Sequence, residues 1–184
     1  SPGVERLGCW CTAFSQMLYN LQVVPSGNTD YLYKSYGSTI TVDFDAEQID
    51  FSKILRELDE NASADEKHMT SLYCWYCLAA MGPKHNSSAF RKTLEAYYPV
   101  KTSQIFSSAG REQVEAFLLA HLQKKQMVMA YREGSGTGHA MCIDGIRFVD
   151  GITYVHFNWG WGHTSDGWYD LWDVWNTAIV KLDA

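Results

Sequence analysis

The chain has 184 residues, 46% of them apolar and 20% charged, a balance that can bury a core and is too apolar for a disordered segment. Its formal charge is −6, no run of Lys or Arg exceeds two, and no stretch approaches the ~18 consecutive apolar residues of a bilayer span. A nucleic-acid partner and a membrane-spanning helix are therefore not expected. Five cysteines, an odd number, exclude a dense disulfide framework and leave catalysis, metal binding or plain burial for the thiols. The chain opens at Ser1 rather than Met, as expected of a processed or truncated product, and a missing leader is no sign of a cytoplasmic home.

Taken in order, the first element is a helix from about Cys9, with Phe14, Met17, Leu18 and Leu21 on one stripe and Pro25, Gly27 and Asn28 marking the loop after it. Residues 38–44 alternate as a short strand, with Ile40, Val42 and Phe44 on one face, and Phe51, Ile54, Leu55 and Leu58 then form a second helical stripe. Ser63-Ala-Asp-Glu66 reads as a capping box that opens a longer helix through Met81, stopped by Gly82-Pro83. Two further helices are expected over about 88–97 and 111–124. After Lys125 strands take over: 126–131, a Gly-rich loop from Gly134 to Gly138, then Ala140–Arg147, a turn at Val149-Asp150-Gly151, and Ile152–Asn158 returning as its hairpin partner. Shorter strands near 167–171 and 178–182 complete an antiparallel sheet. This order predicts an α+β fold in one domain, with a mainly helical lobe over 1–125 and a mainly β lobe over 126–184.

A nucleophilic thiol needs a lowered pKa, and a helix N-terminus beside an imidazolium supplies it. Gly8-Cys9 stands where the first helix begins; the glycine permits a sharp turn, and the Cys9 backbone N–H is placed to serve as an oxyanion donor. Cys11 is the competing thiol, but it extends the Phe14 stripe into the core, so helical phase favours Cys9. His139 follows the Gly-rich loop and opens a strand, and Asn158 ends the paired strand nineteen residues later. The hairpin is expected to set the Asn158 side-chain oxygen against the imidazole N–H.

Gly138-His-Ala-Met-Cys-Ile-Asp-Gly145, Asn158-Trp-Gly-Trp-Gly162, Ser165-Asp-Gly-Trp-Tyr169 and Gly8-Cys-Trp-Cys-Thr-Ala-Phe-Ser-Gln16 together resemble the streptopain family of papain-like cysteine peptidases. The resemblance implies a papain-like fold, with the helical lobe carrying the nucleophile helix and packed on the β lobe. It implies an endopeptidase in which Cys9 and His139 form a thiolate–imidazolium pair oriented by Asn158. In that register Gly138, Trp159 and Trp161 meet the substrate, Trp159 shielding the His139–Asn158 contact and Trp161 walling the primed side. The papain run can also be read from Cys11 through Ser15, so Cys11 stays open as the nucleophile. The position usually held by an oxyanion-hole Gln falls on Gly3. The resemblance also implies a polypeptide substrate, no cofactor, a pro-segment or inhibitor as partner, and secretion or surface exposure in a bacterium.

Other signals point to structure. Cys74-Trp-Tyr-Cys77 matches C-x-x-C, with His68 and His85 near in sequence, but it falls mid-helix and reads as core thiols rather than a redox pair or a metal site. Cys142 lies inside an apolar strand, and Asp144 and Asp166 precede glycines as turn formers. Asn61-Ala-Ser and Asn86-Ser-Ser are glycosylation sequons too short to carry weight. The rival readings are a papain-like hydrolase or transpeptidase acting on another amide, such as peptidoglycan or a leader peptide, and an inactive binding module on the same fold.

Overall fold

The computed structural model describes residues 7–33, 37–82, 88–134 and 138–184. Helix α1 (Gly8–Leu21) is followed by strands β1 (Asn28–Tyr33) and β2 (Ser38–Asp43), helices α2 (Ala64–Met81) and α3 (Ser88–Tyr97), strand β3 (Lys101–Phe106) and helix α4 (Arg111–Leu122). Strands β4 (Val128–Glu133), β5 (Gly138–Val149), β6 (Ile152–Asn158) and β7 (Gly167–Asp170), a short helix α5 (Leu171–Val174) and β8 (Ala178–Asp183) complete the chain. β1 and β2 form a two-stranded antiparallel sheet, while the larger antiparallel sheet runs β3-β8-β4-β5-β6-β7.

The alternation of β5 explains how the layers join. Ala140 and Cys142 point to one face and pack with Cys11, Phe14, Met17 and Leu18 of α1 and with Tyr73, Cys77 and Leu78 of α2. Met141 and Ile143 point to the other, against Val114 and Leu118 of α4, Val155 and Phe157 of β6, and Ile179 of β8. One strand therefore seals two cores, and α1 is fixed between α2 and the sheet. The β5–β6 turn is built as the sequence suggests, with Asp150 and Gly151 both at positive φ.

Several expectations are corrected. The stripe at Phe51, Ile54, Leu55 and Leu58 gives only one 3₁₀ turn, Phe51–Lys53. Asp50 caps that turn by accepting the Ser52 N–H and hydroxyl, and the Leu55 N–H then donates to Thr70 Oγ1 (3.0 Å) rather than to a helical carbonyl. Strand β1 begins at Asn28, where a loop was expected. Strand β3 was not foreseen, because Lys-Thr-Ser-Gln-Ile-Phe carries no apolar alternation; it is an edge strand whose partner, β8, supplies the buried side chains. Through β3 and α4, residues before 125 enter the larger sheet and its core, so the two layers do not divide at that position. Pro83, His85 and Asn86, and Ser135–Thr137 of the Gly-rich loop, lie outside the described residues.

The capping box at α2 forms in full: the Ser63 hydroxyl accepts the Glu66 N–H, and the Glu66 carboxylate accepts the Ser63 N–H at 2.8 Å. Ser63→Ala should therefore lower unfolding free energy by about 1 kcal/mol in urea titration, with the fold unchanged.

Candidate active site

Helix α1 starts from Gly8, at φ +72°, a conformation that admits glycine freely and turns the chain sharply into the helix. Among the described residues no side chain caps this end, and its first-turn N–H groups lend their partial positive charge to whatever sits beside them. Cys9 sits there, half-buried. A hydrogen bond with His139 draws its thiol pKa down against the opposing effect of burial, and the backbone groups of Ala140 and Trp10 assist. For His139 the largest influence is burial, which lowers the pKa. The Cys9 hydrogen bond, the Trp159 carbonyl and the Cys9 charge together outweigh it, and the pKa is raised. The two shifts favour the ion pair from both sides.

Cys11 is fully buried. Its contact with Cys77 and its burial push its pKa well above the ordinary thiol value, and its sulfur lies 3.9 Å from the Ser15 hydroxyl. The structure thus brings Cys9 to His139 and sends Cys11 into the core. Burial likewise pushes Cys74 up to about 11 and Cys142 higher still. Among the described residues no three His, Cys, Asp or Glu side chains are grouped to hold a metal.

The imidazole is held differently from expectation. His139 Nε2 donates to the Trp159 carbonyl at 3.0 Å, which leaves Nδ1 for the thiol. Its ring stacks on Trp159 (5.5 Å between centroids, 13° between planes) and tilts against Trp161 at 4.6 Å. Asn158 Oδ1 does not receive the imidazole proton; it accepts the Gln16 side-chain amide (3.2 Å) and the Gly160 N–H (2.9 Å). Register explains this. Asn158 pairs with Cys142, whose face of the sheet packs on α1, and His139 is three residues along β5, an odd number that sets it on the opposite face with Trp159.

Asn158 still bears on His139, through one peptide group. The Gly160 N–H that it accepts and the Trp159 carbonyl that holds His139 belong to the same peptide plane. Gln16 anchors this arrangement to α1, a contact that the sequence motif included without a role. Trp161 is 52% exposed and stands as a wall beside the imidazole, and the Tyr131 ring fills the space that any side chain at Gly138 would need. Tyr131 also packs against Trp10, next to Cys9, at 4.8 Å. Gly3 lies outside the described residues. A cavity of about 520 Å³ opens behind the loop along Thr12, Gln16, Asn158 and Gly160; neither Cys9 nor His139 lines it, so the reacting pair faces another side.

A thiol at a helix N-terminus against an oriented imidazole, on a helical layer packed on an antiparallel sheet, defines a papain-like cysteine peptidase site. The peptidase C10 family model matches residues 3–169, and the chain belongs to that family. Streptopain of Streptococcus pyogenes is 38% identical over 65 residues, which cover 35% of this chain and 16% of the relative, so the match spans about a sixth of that protein. Among solved structures, the active wild-type interpain A cysteine protease of Prevotella intermedia superposes with a TM-score of 0.77 at 22% identity, covering 95% of this chain and 82% of that one. A prointerpain A fragment from the same organism gives 0.76 at 21% identity, covering 95% and 62%. These likenesses establish the papain-like α+β fold.

Gly160 tests the positioning of the Trp159 carbonyl. It has φ +74°, and a Cβ there would lie 2.9 Å from the Thr12 methyl group on α1. Gly160→Ala should strain the loop by about 1–3 kcal/mol and lower activity as the carbonyl shifts. Thr12→Ala added to it should restore only part of the loss, since the backbone strain remains; thermal unfolding and peptide-cleavage rates measure both.

Proposed function

We propose that this chain is a cysteine endopeptidase in which Cys9 is the nucleophile, His139 the acid and base, and Asn158 an indirect support for the imidazole. The observation that carries this reading is the placement of Cys9 at the N-terminus of α1 beside His139, where the two groups shift each other's pKa towards the ion pair, with the Nε2 of the imidazole fixed on the Trp159 carbonyl. The Cys9 thiolate attacks a peptide carbonyl, and the carbonyl's electron pair moves to oxygen. As the C–N bond breaks, imidazolium His139 gives its Nδ1 proton to the leaving amine, and a thioester remains. Neutral His139 then takes a proton from water, whose oxygen displaces the Cys9 sulfur and releases the acid. Throughout, the Trp159 carbonyl holds the imidazole in one tautomer, the role that a carboxylate or amide oxygen plays in other triads.

The substrate in this reading is a polypeptide, laid past Gly138 and against Trp159 and Trp161. The whole chain works as one papain-like domain. Synthesis with a pro-segment and release to the outside of a bacterial cell extend the proposal, supported by the streptococcal relatives and by the existence of a pro-form of interpain A.

Cys9→Ala and His139→Ala should each reduce casein cleavage by about a thousand-fold or more with the fold retained. Cys11→Ala should keep most of the activity; loss there with activity retained in Cys9→Ala would reverse the assignment. Because the Cys9 pKa is lowered and that of His139 raised, the ion pair persists further into acid than a free thiolate and further into base than a free imidazolium. Iodoacetamide should therefore alkylate Cys9 rapidly at about pH 5–6, where an ordinary thiol is inert. A slow reaction that rises only as a free thiol ionises would mark an inactive binding module.

A further inference from the structure

Asp166 lies eight residues beyond the end of β6 and is far from a simple turn former. Its carboxylate is nearly buried, with 13% of the side chain exposed. Oδ1 accepts the Trp159 N–H at 2.8 Å, and Oδ2 meets His163 Nδ1 at 3.2 Å. Trp159 is thus gripped at both of its backbone groups: its N–H by Asp166, its carbonyl by His139. The loop between is not relaxed, because Gly160, Gly162, His163 and Ser165 all have positive φ, and for His163 and Ser165 that conformation is unfavourable. Such a loop keeps its shape only where outside contacts over-determine it, and the Asp166 carboxylate is the acceptor that ties its far end back to its start.

We propose that Asp166 is a positioning residue for the reaction: by fixing the Trp159 N–H it aims the Trp159 carbonyl at His139 Nε2 and so holds the imidazole in line with Cys9. It touches neither the thiol nor the imidazole, and it acts separately from Asn158, which holds the next peptide group through the Gly160 N–H. The Trp159 N–H and carbonyl belong to adjacent peptide groups joined at the Trp159 Cα, so Asp166 acts on the carbonyl by fixing the backbone geometry at that residue. Among the described residues the titratable groups around Asp166 are His163 on its own loop and, lining the same cavity, Arg56 and Glu57, the Glu57 carboxylate lying 3.8 Å from His163. The proposal is one of geometry and rests on the assignment of His139 as the catalytic base made above.

The test compares Asp166→Ala and Asp166→Asn with the wild type. The alanine variant loses the acceptor and should lower kcat by about 10- to 100-fold with little change in KM, since a small misalignment of the reacting groups is costly. Its acid-side alkylation of Cys9 should fall, and the downfield proton resonance of His139 Nε2–H should move upfield or exchange away. Asp166→Asn keeps an oxygen that can accept the Trp159 N–H, so it should recover most of kcat and retain the resonance. Wild-type kcat, alkylation profile and resonance in the alanine variant would overturn the proposal. Equal loss in a folded asparagine variant would also overturn it, since charge rather than the hydrogen bond would then matter; this arm stands even if the alanine variant does not fold. The resonance reads the His139–Trp159 bond whether or not the protein cuts peptides. A wild type without cleavage whose resonance still depends on Asp166 would therefore sink the peptidase reading and leave the positioning role intact.

Discussion

The site depends on one peptide group, that between Trp159 and Gly160. Its carbonyl receives the His139 Nε2–H and its N–H goes to Asn158 Oδ1, so a single rigid plane transmits the position of the β6 end to the imidazole. With Nε2 committed, Nδ1 is the nitrogen left to meet Cys9. A side-chain oxygen could hold an imidazole as well, but it would bring rotamer freedom with it; a backbone carbonyl braced at both ends brings almost none.

What gives that plane its accuracy is the way α1 is clamped. Its buried stripe packs against α2 and against Ala140 and Cys142 of β5, while Gln16 reaches across to Asn158 and the Thr12 methyl group abuts Gly160. The helix that presents the thiol and the loop that presents the carbonyl are thus in direct contact. A shift of one carries the other, and the distance between thiol and imidazole is preserved. The burial that anchors β5 comes from both of its faces, through α1 on one side and α4 on the other. A strand sealed in this way has little freedom to move its first residues, among them His139.

The five thiols illustrate how environment separates identical groups. Cys9 and Cys11 are two residues apart on one helix. Cys9 meets an imidazole and the N–H groups of a helix end, and ionises more readily. Cys11 meets Cys77, Ser15 and apolar walls, and resists ionisation. A turn of about 200° around the helix axis produces that difference, as expected from 3.6 residues per turn. Helical phase is therefore enough to rank the two sulfurs, and the buried stripe through Phe14, Met17 and Leu18 set that phase in the sequence.

Much of the scaffold was legible in the same way. The capping box at Ser63, the α1 stripe and the Asp150-Gly151 turn are local signals, and each formed where its residues stand. The stripe at 51–58 misled because its spacing fits a helix, while its backbone donors found better partners in Asp50 and in Thr70 of α2, the latter distant in sequence. β3 was invisible because an edge strand can borrow its burial from β8. By itself the sequence ranked Cys9 above Cys11 and singled out His139 and the motif around Asn158, since these are chemical identities and short-range patterns. Only the tertiary structure decided which atom orients the imidazole. That choice rests on the β5–β6 register, in which an odd offset of three residues turns Asn158 towards α1 and leaves the Trp159 carbonyl facing His139.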